Sequence, residues 1–467
     1  MPELGVILLA AGQGTRMKSA LPKVLHPLGG KPLFLHALGT AQRLCPARVA
    51  VIIGHGAEAV RQAYSGDDGD DVDWLVQERQ LGTGHAVLCA KDAFRNFPGD
   101  VLILSGDVPL IRECTLRALV EHHRSTRAAV TLLTALLQKP TGYGRILRNG
   151  DGLISGIVEE KDASAAQQQI GEVNAGVYVA SVPFLFAALS SVKNDNQQQE
   201  YYLPDIVAVG LAQGKSIQTV QVDDVREMMG VNTREELAFM EKSLRETINR
   251  KWMLAGVTLK DPDTTYIDES VTIGKDTVIG PNTQLRGKTV IGERCQIDGS
   301  AFLTDMEIGD EVQLKFSVVM TASRIDNGAI VGPFAQLRPG THLGRNVHIG
   351  NFVEAKAAHL GEGTKASHLT YLGDVTIGRD TNIGAGTITC NYDGFQKYKS
   401  KIGDRVQVGS DTTLIAPVTL GDDVYVATAS TVRHDVPDGA LVFNPREEKV
   451  REGWTEQKRK QMKGNKK

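Results

Sequence analysis

The sequence predicts two domains of different fold. The first is an α/β domain with a mostly parallel sheet, and the second is a parallel β-helix. Three observations support this prediction: the length of 467 residues exceeds one ordinary core, short apolar runs alternate with helical patterns in the first half, and aliphatic residues recur every six positions in the second. We expect a nucleotide-handling α/β domain over 1–231, a linker helix over 232–255, a β-helix domain over 256–450 and a basic tail over 451–467.

The α/β prediction depends on short, continuous apolar runs, which are typical of strands buried on both faces of a parallel sheet. Helical patterns at 31–44 and 82–96 separate these runs. Alternation of strands and helices predicts a doubly wound, Rossmann-like sheet. The runs are "GVILLA" (5–10), "RVAVII" (48–53) and "DVLILS" (100–105).

The linker prediction starts from a helix-capping pattern. Thr233 and Glu236 form a T-x-x-E capping box. A helical stripe of apolar residues follows, and Gly256 is a plausible end.

The β-helix prediction depends on a period of six, which fits neither an α-helix nor an alternating strand. It is typical of short parallel strands joined by tight turns, three strands to a coil. A glycine often follows the aliphatic residue, where we expect it to relieve the turn sterically. At "NIGAGTITCNYDG" the period is lost, and we expect a loop to leave the column at Gly386 and to rejoin it near Ile402. The aliphatic positions fall in three runs: Ile273, Ile279, Leu285, Ile291, Ile297 and Leu303; Val331, Leu337, Leu343 and Ile349; Ile402, Val408, Leu414, Leu420, Val426 and Val432.

Composition excludes several classes of partner. A net charge of −3 with well-mixed signs gives no reason to propose nucleic-acid binding or stable membrane association. The five cysteines are scattered and lack C-x-x-C spacing, so we expect reduced thiols. The first residues carry no leader pattern, and no apolar run reaches about 18 residues. We expect a soluble, cytoplasmic protein. The basic tail is either a solvated, disordered end or a contact with a partner or phosphate.

Two stretches of the α/β half point to phosphate chemistry. The glycine-rich turn in "LLAAGQGTRM" follows a strand, where backbone N–H groups and a helix N-terminus attract phosphate oxygens. Arg16 and Lys23 add two cations. Asp107 ends another strand, where one carboxylate together with substrate phosphates suffices for Mg²⁺. The alternative interpretation, which the pattern favours less, is that Asp107 is a turn or N-cap residue.

The segments "LAAGQGTRM…LPKVL", "GDVPL", "PTGYGRI", "EYYLPDI", "HLTYLGD" and "GAGTITCNYDG" carry a resemblance to a known family. The chain resembles, over nearly its whole length, the bacterial bifunctional N-acetylglucosamine-1-phosphate uridyltransferase / glucosamine-1-phosphate N-acetyltransferase. The resemblance implies a nucleotidyltransferase domain, then a left-handed β-helix that forms a homotrimer. It implies acetylation of glucosamine 1-phosphate by acetyl-CoA, then UMP transfer from UTP with release of pyrophosphate.

For the first half, the resemblance implies a nucleotide loop, phosphate neutralisation by Arg16 and Lys23, and Mg²⁺ binding by Asp107 and Asn232. Further nucleotide and sugar contacts are implied at Leu9, Ala10, Ala11, Gly12, Gln77, Gly82, Thr83, Ser105, Gly106, Gly144, Glu159 and Asn174. Ser105 stands where some relatives have Tyr.

For the second half, the resemblance implies that His368 is the general base for the amine. Without that resemblance, a lone histidine near aliphatic residues is more often structural. Thr428 stands where Ala is common in the family, and Arg446 lies near the expected position of an arginine. The implied sugar-phosphate contacts are Arg338, Glu354, Lys356, Tyr371 and Asn382, and the implied acetyl-CoA contacts are Ala385, Asn391, Tyr392, Ser410, Thr428 and Arg446.

Two other interpretations stay open at this point. One is a nucleotidyltransferase whose β-helix only assembles or regulates, and the other is a non-catalytic binding protein that reuses both folds. His368 and the "NYDG" segment favour the bifunctional enzyme over the first, and Lys23 and Asp107 favour it over the second.

Overall fold

The structure is a computed structural model that describes residues 3–64, 72–445 and 447–464. The chain forms two compact units, Met1–Ile248 and Asn249–Lys467. Arg446 lies outside the described residues.

The first unit is an α/β domain. Its helices are α1 (Leu33–Gln42), α2 (Ala57–Gln62), α3 (Thr83–Leu88), α4 (Glu113–Thr126), α5 (Val182–Leu189), α6 (Asp205–Ala212) and α7 (Arg234–Leu254), which continues into the second unit. Its strands are β1 (Leu4–Ala10), β2 (Pro27–Leu28), β3 (Lys31–Pro32), β4 (Arg48–Ile53), β5 (Val72–Val76), β6 (Asp100–Ser105), β7 (Val130–Leu136), β8 (Arg145–Arg148), β9 (Ile154–Val158), β10 (Glu172–Ser181) and β11 (Ile217–Gln221).

The main sheet has the strand order β11-β7-β10-β6-β1-β4-β5. Strand β1 pairs in parallel with both β4 and β6, while β10 runs antiparallel between β6 and β7. The central strands are buried on both faces: Val6 and Leu8 contribute to one apolar cluster, and Ile7 contributes to another. This explains why their sequences are continuous apolar runs, and it confirms the predicted α/β class.

Helix α7 begins with the expected capping box. The Thr233 hydroxyl accepts a hydrogen bond from the Glu236 backbone N–H (3.1 Å), and the Glu236 carboxylate accepts from the Thr233 N–H (3.0 Å). The same carboxylate accepts from the Asn232 N–H (2.6 Å), which fixes the residue that precedes the helix.

The second unit consists of short parallel strands stacked into a column, followed by α8 (Trp454–Gly464). In chain order, β12 to β39 are Thr258–Leu259, Tyr266–Ile267, Thr272–Ile273, Val278–Ile279, Gln284–Arg286, Val290–Ile291, Gln296–Ile297, Ala301–Thr304, Glu307–Ile308, Gln313–Leu314, Val318–Thr321, Arg324–Ile325, Ile330–Val331, Gln336–Arg338, His342–Leu343, His348–Lys356, His359–Leu360, Lys365–Gly373, Val375–Ile377, Asn382–Ile383, Ile388–Cys390, Ser400–Ile402, Gln407–Val408, Thr413–Ile415, Val418–Leu420, Tyr425–Val426, Thr431–Val432 and Leu441–Val442.

The column has three faces, because each strand pairs with the strand one coil later. We call the face of β12, β15, β18, β21 and β24 the first face, that of β13, β16, β19, β22 and β25 the second face, and that of β14, β17, β20, β23 and β26 the third face. The long strands β27 and β29 start on the first face and end on the second. This confirms the predicted hexapeptide β-helix.

The glycines that follow inward aliphatic residues have a different role from the expected one. A Cβ on Gly384 would lie 2.6 Å from the Gly409 carbonyl carbon and 2.6 Å from the Ser410 nitrogen, and the backbone φ of Gly384 is not left-handed. Glycine is therefore required by the close approach of successive coils, not by the turn. Ordinary residues such as Asp276 and Arg405 take the left-handed turn positions instead.

The break in the six-residue period is also corrected. The chain stays in the column beyond Gly386, because β32 (Ile388–Cys390) pairs with β35 (Thr413–Ile415). The excursion covers 391–399, and β33 (Ser400–Ile402) closes it. Ile377 therefore pairs with Ile402, and Ile402 pairs with Leu420, so the coil that carries the excursion is longer than the coil that follows it.

The tail contains helix α8, whose residues from Trp454 to Lys463 are exposed. Within the described residues, none of the helices is both long enough and apolar enough to cross a membrane.

Candidate active sites

The first site lies at the carboxyl ends of β1 and β6. Leu9 pairs with Ser105, and the Gly106 N–H donates to the Leu9 carbonyl oxygen (2.8 Å). In the sheet, β4 lies on one side of β1 and β6 lies on the other side. The order of the strands therefore changes direction at β1. Ligands of open α/β sheets bind at such a position.

A cavity of about 310 Å³ opens at this edge. Gln77 is buried, and its amide nitrogen donates to the Gly82 carbonyl (3.1 Å) and lies 3.0 Å from Nδ1 of His85. Gly82 has φ 103°, and a Cβ there would lie 2.6 Å from the Tyr201 carbonyl oxygen, so only glycine fits. The cavity is lined by Leu9, Ala11, Gly12, Lys23, Val24, Gln77, Gln80, Gly82, Thr83, Ala86, Ser105, Asp107 and Glu200.

The N-terminus of an α-helix that we expected after the glycine-rich turn is not present there. Only a three-residue 3-10 helix, Thr15–Met17, follows, between left-handed residues at Gly14 and Lys18. A single short turn supplies little dipole. Any phosphate attraction in this segment therefore depends on backbone N–H groups and on cations.

Lys23 contacts both residues that the resemblance implies for the metal. Its ammonium forms an ion pair with Asp107 and donates to the Asn232 side-chain oxygen (3.0 Å), which also accepts from Nη2 of Arg16 (3.0 Å). Burial alone raises the pKa of Asp107. The charge and hydrogen bond of Lys23 outweigh that effect and hold the pKa below its usual value, so the carboxylate stays ionised.

A second cavity, of about 660 Å³, adjoins these cations. Gly144 and Asn174 meet beside it, since the Asn174 N–H donates to the Gly144 carbonyl (2.9 Å), and Glu159 packs on Gly144. Burial, followed by the charges of Asp205 and Asp162, raises the pKa of Glu159. The cavity is lined by Gln13, Gly14, Thr15, Arg16, Lys23, Gly142, Glu159, Glu160, Lys161, Gln198, Glu200 and Asn232.

Lys23 and Glu200 line both cavities. Sequence reasoning missed Glu200 and Gln80, whose side-chain amide donates to the Ala11 carbonyl (2.5 Å). Both lie in polar segments whose spacing carries no signal.

The second site lies along one corner of the column. The backbone pairs Ile349 with Ala366, and the register continues coil by coil through Ile383 and Val408 to Val426. The residue two positions after each of these aligned residues lies at the same corner in its own coil. We call this set of residues the corner ladder. It consists of Asn351, His368, Ala385, Ser410 and Thr428.

His368 is exposed at this corner, and its Nδ1 lies 2.9 Å from the Oδ1 of Asn351. The ladder thus joins the implied base to three implied acetyl-CoA contacts. Asn351 was missed, because it becomes a neighbour of His368 only through the pairing of successive coils.

Four implied sugar-phosphate residues share the second face. Arg338 pairs with Lys356, and Glu354 pairs with Tyr371. Nη1 of Arg338 donates to Oε1 of Glu354 (2.8 Å). The Tyr371 ring occupies the space beside Gly373, where a Cβ would lie 2.7 Å from Cε1 of the ring.

Other implied contacts lie elsewhere within this unit. Asn382 pairs with Lys365 on the first face, on the other side of the His368 corner. Asn391 is buried, and its amide nitrogen donates to Asp374 rather than facing outward. Tyr392 is exposed, with its hydroxyl donating to the Gly394 carbonyl (2.6 Å).

Lys397, in the excursion 391–399, was also missed. Its ammonium contacts that of Lys356, and this contact, followed by burial, lowers the pKa of Lys356. Two adjacent ammonium groups with Arg338 nearby favour an anion with more than one charge.

Comparisons with known proteins match segments of both units. Residues 6–169 match the MobA-like NTP transferase domain, 262–332 match the GMPPB C-terminal domain, and 400–432 match the hexapeptide repeat of succinyl-transferase. Among solved structures, UDP-glucose pyrophosphorylase complexed with UDP-glucose covers 53% of this chain and 100% of its own, with 18% identity and a TM-score of 0.44.

Curated relatives match over nearly the full length. The bifunctional protein GlmU of Pelobacter propionicus is 49% identical over 97% of this chain and 98% of its own. The GlmU of Geobacter sulfurreducens is 47% identical over 99% of this chain and 100% of its own, and that of Shouchella clausii is 46% identical over 93% and 95%.

Proposed function

The chain belongs to the family of bifunctional GlmU proteins, and from this premise we propose how its two halves divide the work. It is a bifunctional transferase of UDP-N-acetylglucosamine biosynthesis, with uridyltransferase and acetyltransferase activities. Acetyl-CoA acetylates glucosamine 1-phosphate in the second unit. UTP then uridylylates N-acetylglucosamine 1-phosphate in the first unit.

One observation carries the uridylyl assignment: Lys23 lies on the wall common to both cavities. UTP fits the cavity with Gln77 and Gly82, and the acetylated sugar phosphate fits the cavity with Glu159. The ammonium of Lys23 then faces the phosphates of both substrates. An oxygen of the sugar phosphate attacks the α-phosphorus of UTP, and pyrophosphate leaves. The nucleophile is already an anion, so alignment and charge neutralisation by Lys23 and Arg16 replace a general base.

The residues at this wall fit Mg²⁺. The Asp107 carboxylate and the Asn232 amide oxygen already converge on one cation, the Lys23 ammonium. Both are the hard oxygen donors that Mg²⁺ prefers, and phosphates and water complete such a site. Mg²⁺ bound there would neutralise charge on the phosphates and on the leaving pyrophosphate.

For acetyl transfer, His368 is the general base. The amine of glucosamine 1-phosphate attacks the thioester carbonyl, Nε2 of His368 takes the amine proton, and the C–S bond breaks as the amide bond forms. The proton then passes to the departing CoA thiolate. Arg338, Lys356 and Lys397 hold the sugar phosphate, and Glu354 and Tyr371 orient the sugar.

Acetyl-CoA lies along the corner ladder at Ala385, Ser410 and Thr428, with Tyr392 of the excursion beside it. Asn391 acts indirectly, because its bond to Asp374 anchors the base of the excursion. The contact predicted for Arg446 stays a prediction.

We further propose that the second units form a homotrimer. Phe316, Phe334 and Phe352 lie on successive coils, and each is about half exposed. The rings of Phe316 and Phe334 meet edge to face with centroids 6.0 Å apart, and those of Phe334 and Phe352 stack with centroids 5.6 Å apart. Leu369 extends this apolar ladder and directly follows His368. A neighbouring column that covers the ladder would bring Asn382 of one subunit towards His368 of another. Both reactions take place in the cytoplasm, where UTP and acetyl-CoA are available.

The test uses the purified protein with UTP, Mg²⁺, acetyl-CoA and glucosamine 1-phosphate, and it measures free CoA and pyrophosphate separately. The His368→Ala variant loses CoA release but still converts added N-acetylglucosamine 1-phosphate. The Asp107→Ala variant loses pyrophosphate release but still releases CoA. Loss of both activities in either variant would contradict the division of labour.

A further inference from the structure

The imidazole of His368 has two distinct edges. Nδ1 lies 2.9 Å from the Oδ1 of Asn351, one coil earlier. Among the described residues, Nε2 has no hydrogen-bond partner, and the side chain is exposed. One edge is therefore held by the column, and the other faces outward.

An amide oxygen only accepts hydrogen bonds, so the nitrogen that faces it carries the proton. The imidazole then has N–H at Nδ1 and a lone pair at Nε2. We propose that Asn351 is the positioning residue of acetyl transfer: its side-chain oxygen fixes the imidazole of His368 in the tautomer that can accept the amine proton at Nε2. This inference rests on the proposed function of His368.

The backbone supports this role, because the two coils are unusually close at this position. A Cβ on Gly350 would overlap the Ser367 carbonyl and would lie 2.8 Å from its Cα. Glycine just before Asn351 thus lets the Asn351 strand lie tightly against the His368 strand. The register pairs the two residues directly. The hydrogen bond is therefore set by strands, which are more rigid than loops.

The proton balance follows from this geometry. Nε2 takes one proton from the attacking amine, which gives an imidazolium whose Nδ1–H still donates to Asn351. The same proton leaves Nε2 for the CoA thiolate when the C–S bond breaks. Asn351 neither gains nor loses a proton, and the imidazole returns to its starting tautomer.

The charged groups near this corner are His348 on the strand of Asn351, Lys365 on the strand of His368, and Lys315. Burial, followed by the positive charges of Lys365 and Lys315, lowers the pKa of His348. A neutral amide orients the imidazole without compensating for these charges. A carboxylate at position 351 would compensate for them.

The experiment compares Asn351→Leu, which keeps the size but removes the acceptor, with Asn351→Asp, which keeps an acceptor and adds charge. We expect Asn351→Leu to lower kcat for CoA release by at least about tenfold, with KM for both substrates little changed. Asn351→Asp should retain turnover and shift the acidic limb of the pH–rate profile to higher pH. Gln296→Ala, which changes an exposed residue on β18, is the matched control and should behave as the wild type.

The tautomer itself is read by ¹⁵N NMR of protein labelled at histidine, with the His368 signals assigned by their loss in His368→Gln. The wild type should show a protonated Nδ1 and an unprotonated Nε2 at pH 8. The inference is overturned if the wild type carries the proton on Nε2. It is also overturned if Asn351→Leu has the kcat and the acidic limb of the pH–rate profile of the wild type. If His368→Gln itself keeps acetyl transfer, the assigned base is wrong, which is a separate failure of the proposed function.

Discussion

The ammonium of Lys23 and the carboxylate of Asp107 form an ion pair whose side chains are only 12% and 15% exposed. Asn232 adds a neutral oxygen to the same ammonium at 3.0 Å. The pair lies where the two cavities of the first unit meet, so its charges act in a partly dehydrated environment, where electrostatic interactions are stronger than in water.

Removal of this ammonium should stop uridylyl transfer. We expect Lys23→Met to lower pyrophosphate release by about 10²-fold or more, because a preorganised cation at the phosphates is lost. CoA release should be unchanged. The matched control is Lys18→Met, which removes an exposed lysine near the same turn.

The same variant should change cation binding. Lys23 contacts both oxygens that we assign to Mg²⁺, so its loss should raise the affinity for Mn²⁺ measured by electron paramagnetic resonance without nucleotide. An unchanged affinity would contradict the assignment of Asp107 and Asn232.

Glu159 should make stability depend on pH. Its pKa is raised above the usual 4.5 by burial and by Asp205 and Asp162. A raised carboxyl pKa means that the contribution of Glu159 to stability is fully present below its usual pKa and is lost as the pH rises through the folded-state pKa. Glu159→Gln stays neutral, so it should melt at a higher temperature than the wild type at pH 8, and the difference should disappear towards pH 4.

The Glu159→Gln substitution should also weaken binding of the sugar phosphate, because Glu159 lines the cavity assigned to that substrate. We expect KM for N-acetylglucosamine 1-phosphate to rise roughly tenfold in Glu159→Gln. Asp151→Asn, in the exposed hairpin turn, should change neither property. A melting difference that is the same at both pH values would count against the titration of Glu159.

Lys397 should bind the phosphate of glucosamine 1-phosphate. We expect Lys397→Ala to raise KM for glucosamine 1-phosphate roughly tenfold, the cost of one charge-assisted hydrogen bond, with little change in KM for acetyl-CoA. Lys399→Ala, in the same excursion, should have little effect. If KM for acetyl-CoA rises instead, the paired ammonium groups bind the phosphates of CoA.

The phenylalanine ladder should hold the trimer together. Phe334→Glu replaces the middle one of three contacting rings by a charge, and we expect dissociation in sedimentation experiments together with loss of CoA release. Pyrophosphate release should persist. Leu153→Glu, at an exposed site of the first unit, should remain trimeric. A trimeric Phe334→Glu protein would place the interface elsewhere.

The sequence predicts both folds, because strands and helices alternate in the first half and aliphatic residues recur every six positions in the second. It does not determine which side chains of successive coils become neighbours. Coils differ in length: Ile297 pairs with Leu314, whereas Leu285 pairs with Leu303, so the first of these coils is shorter than the second. A shortened turn breaks a count of six, which explains the gap between the runs that end at Leu303 and begin at Val331.

Side-chain partners depend on this register, and so they were found only in part. His368 is identifiable from a resemblance, whereas Asn351 becomes its partner only when Ile349 pairs with Ala366. Lys397 was missed for a related reason, since a loop residue has no period. The helix N-terminus expected after the glycine-rich turn was wrong, because left-handed residues at Gly14 and Lys18 flank a 3-10 helix of only three residues.

The excursion 391–399 has a consequence for how this family can diversify. After the excursion the chain rejoins the column, where Val375 pairs with Ser400. The length of the excursion is therefore independent of the coils that carry His368. Residues can be gained, lost or exchanged there without moving His368. Evolution, or a protein engineer who grafts a new segment between Cys390 and Ser400, can therefore alter which acyl donor or acceptor is accepted while the rest of the architecture is inherited unchanged.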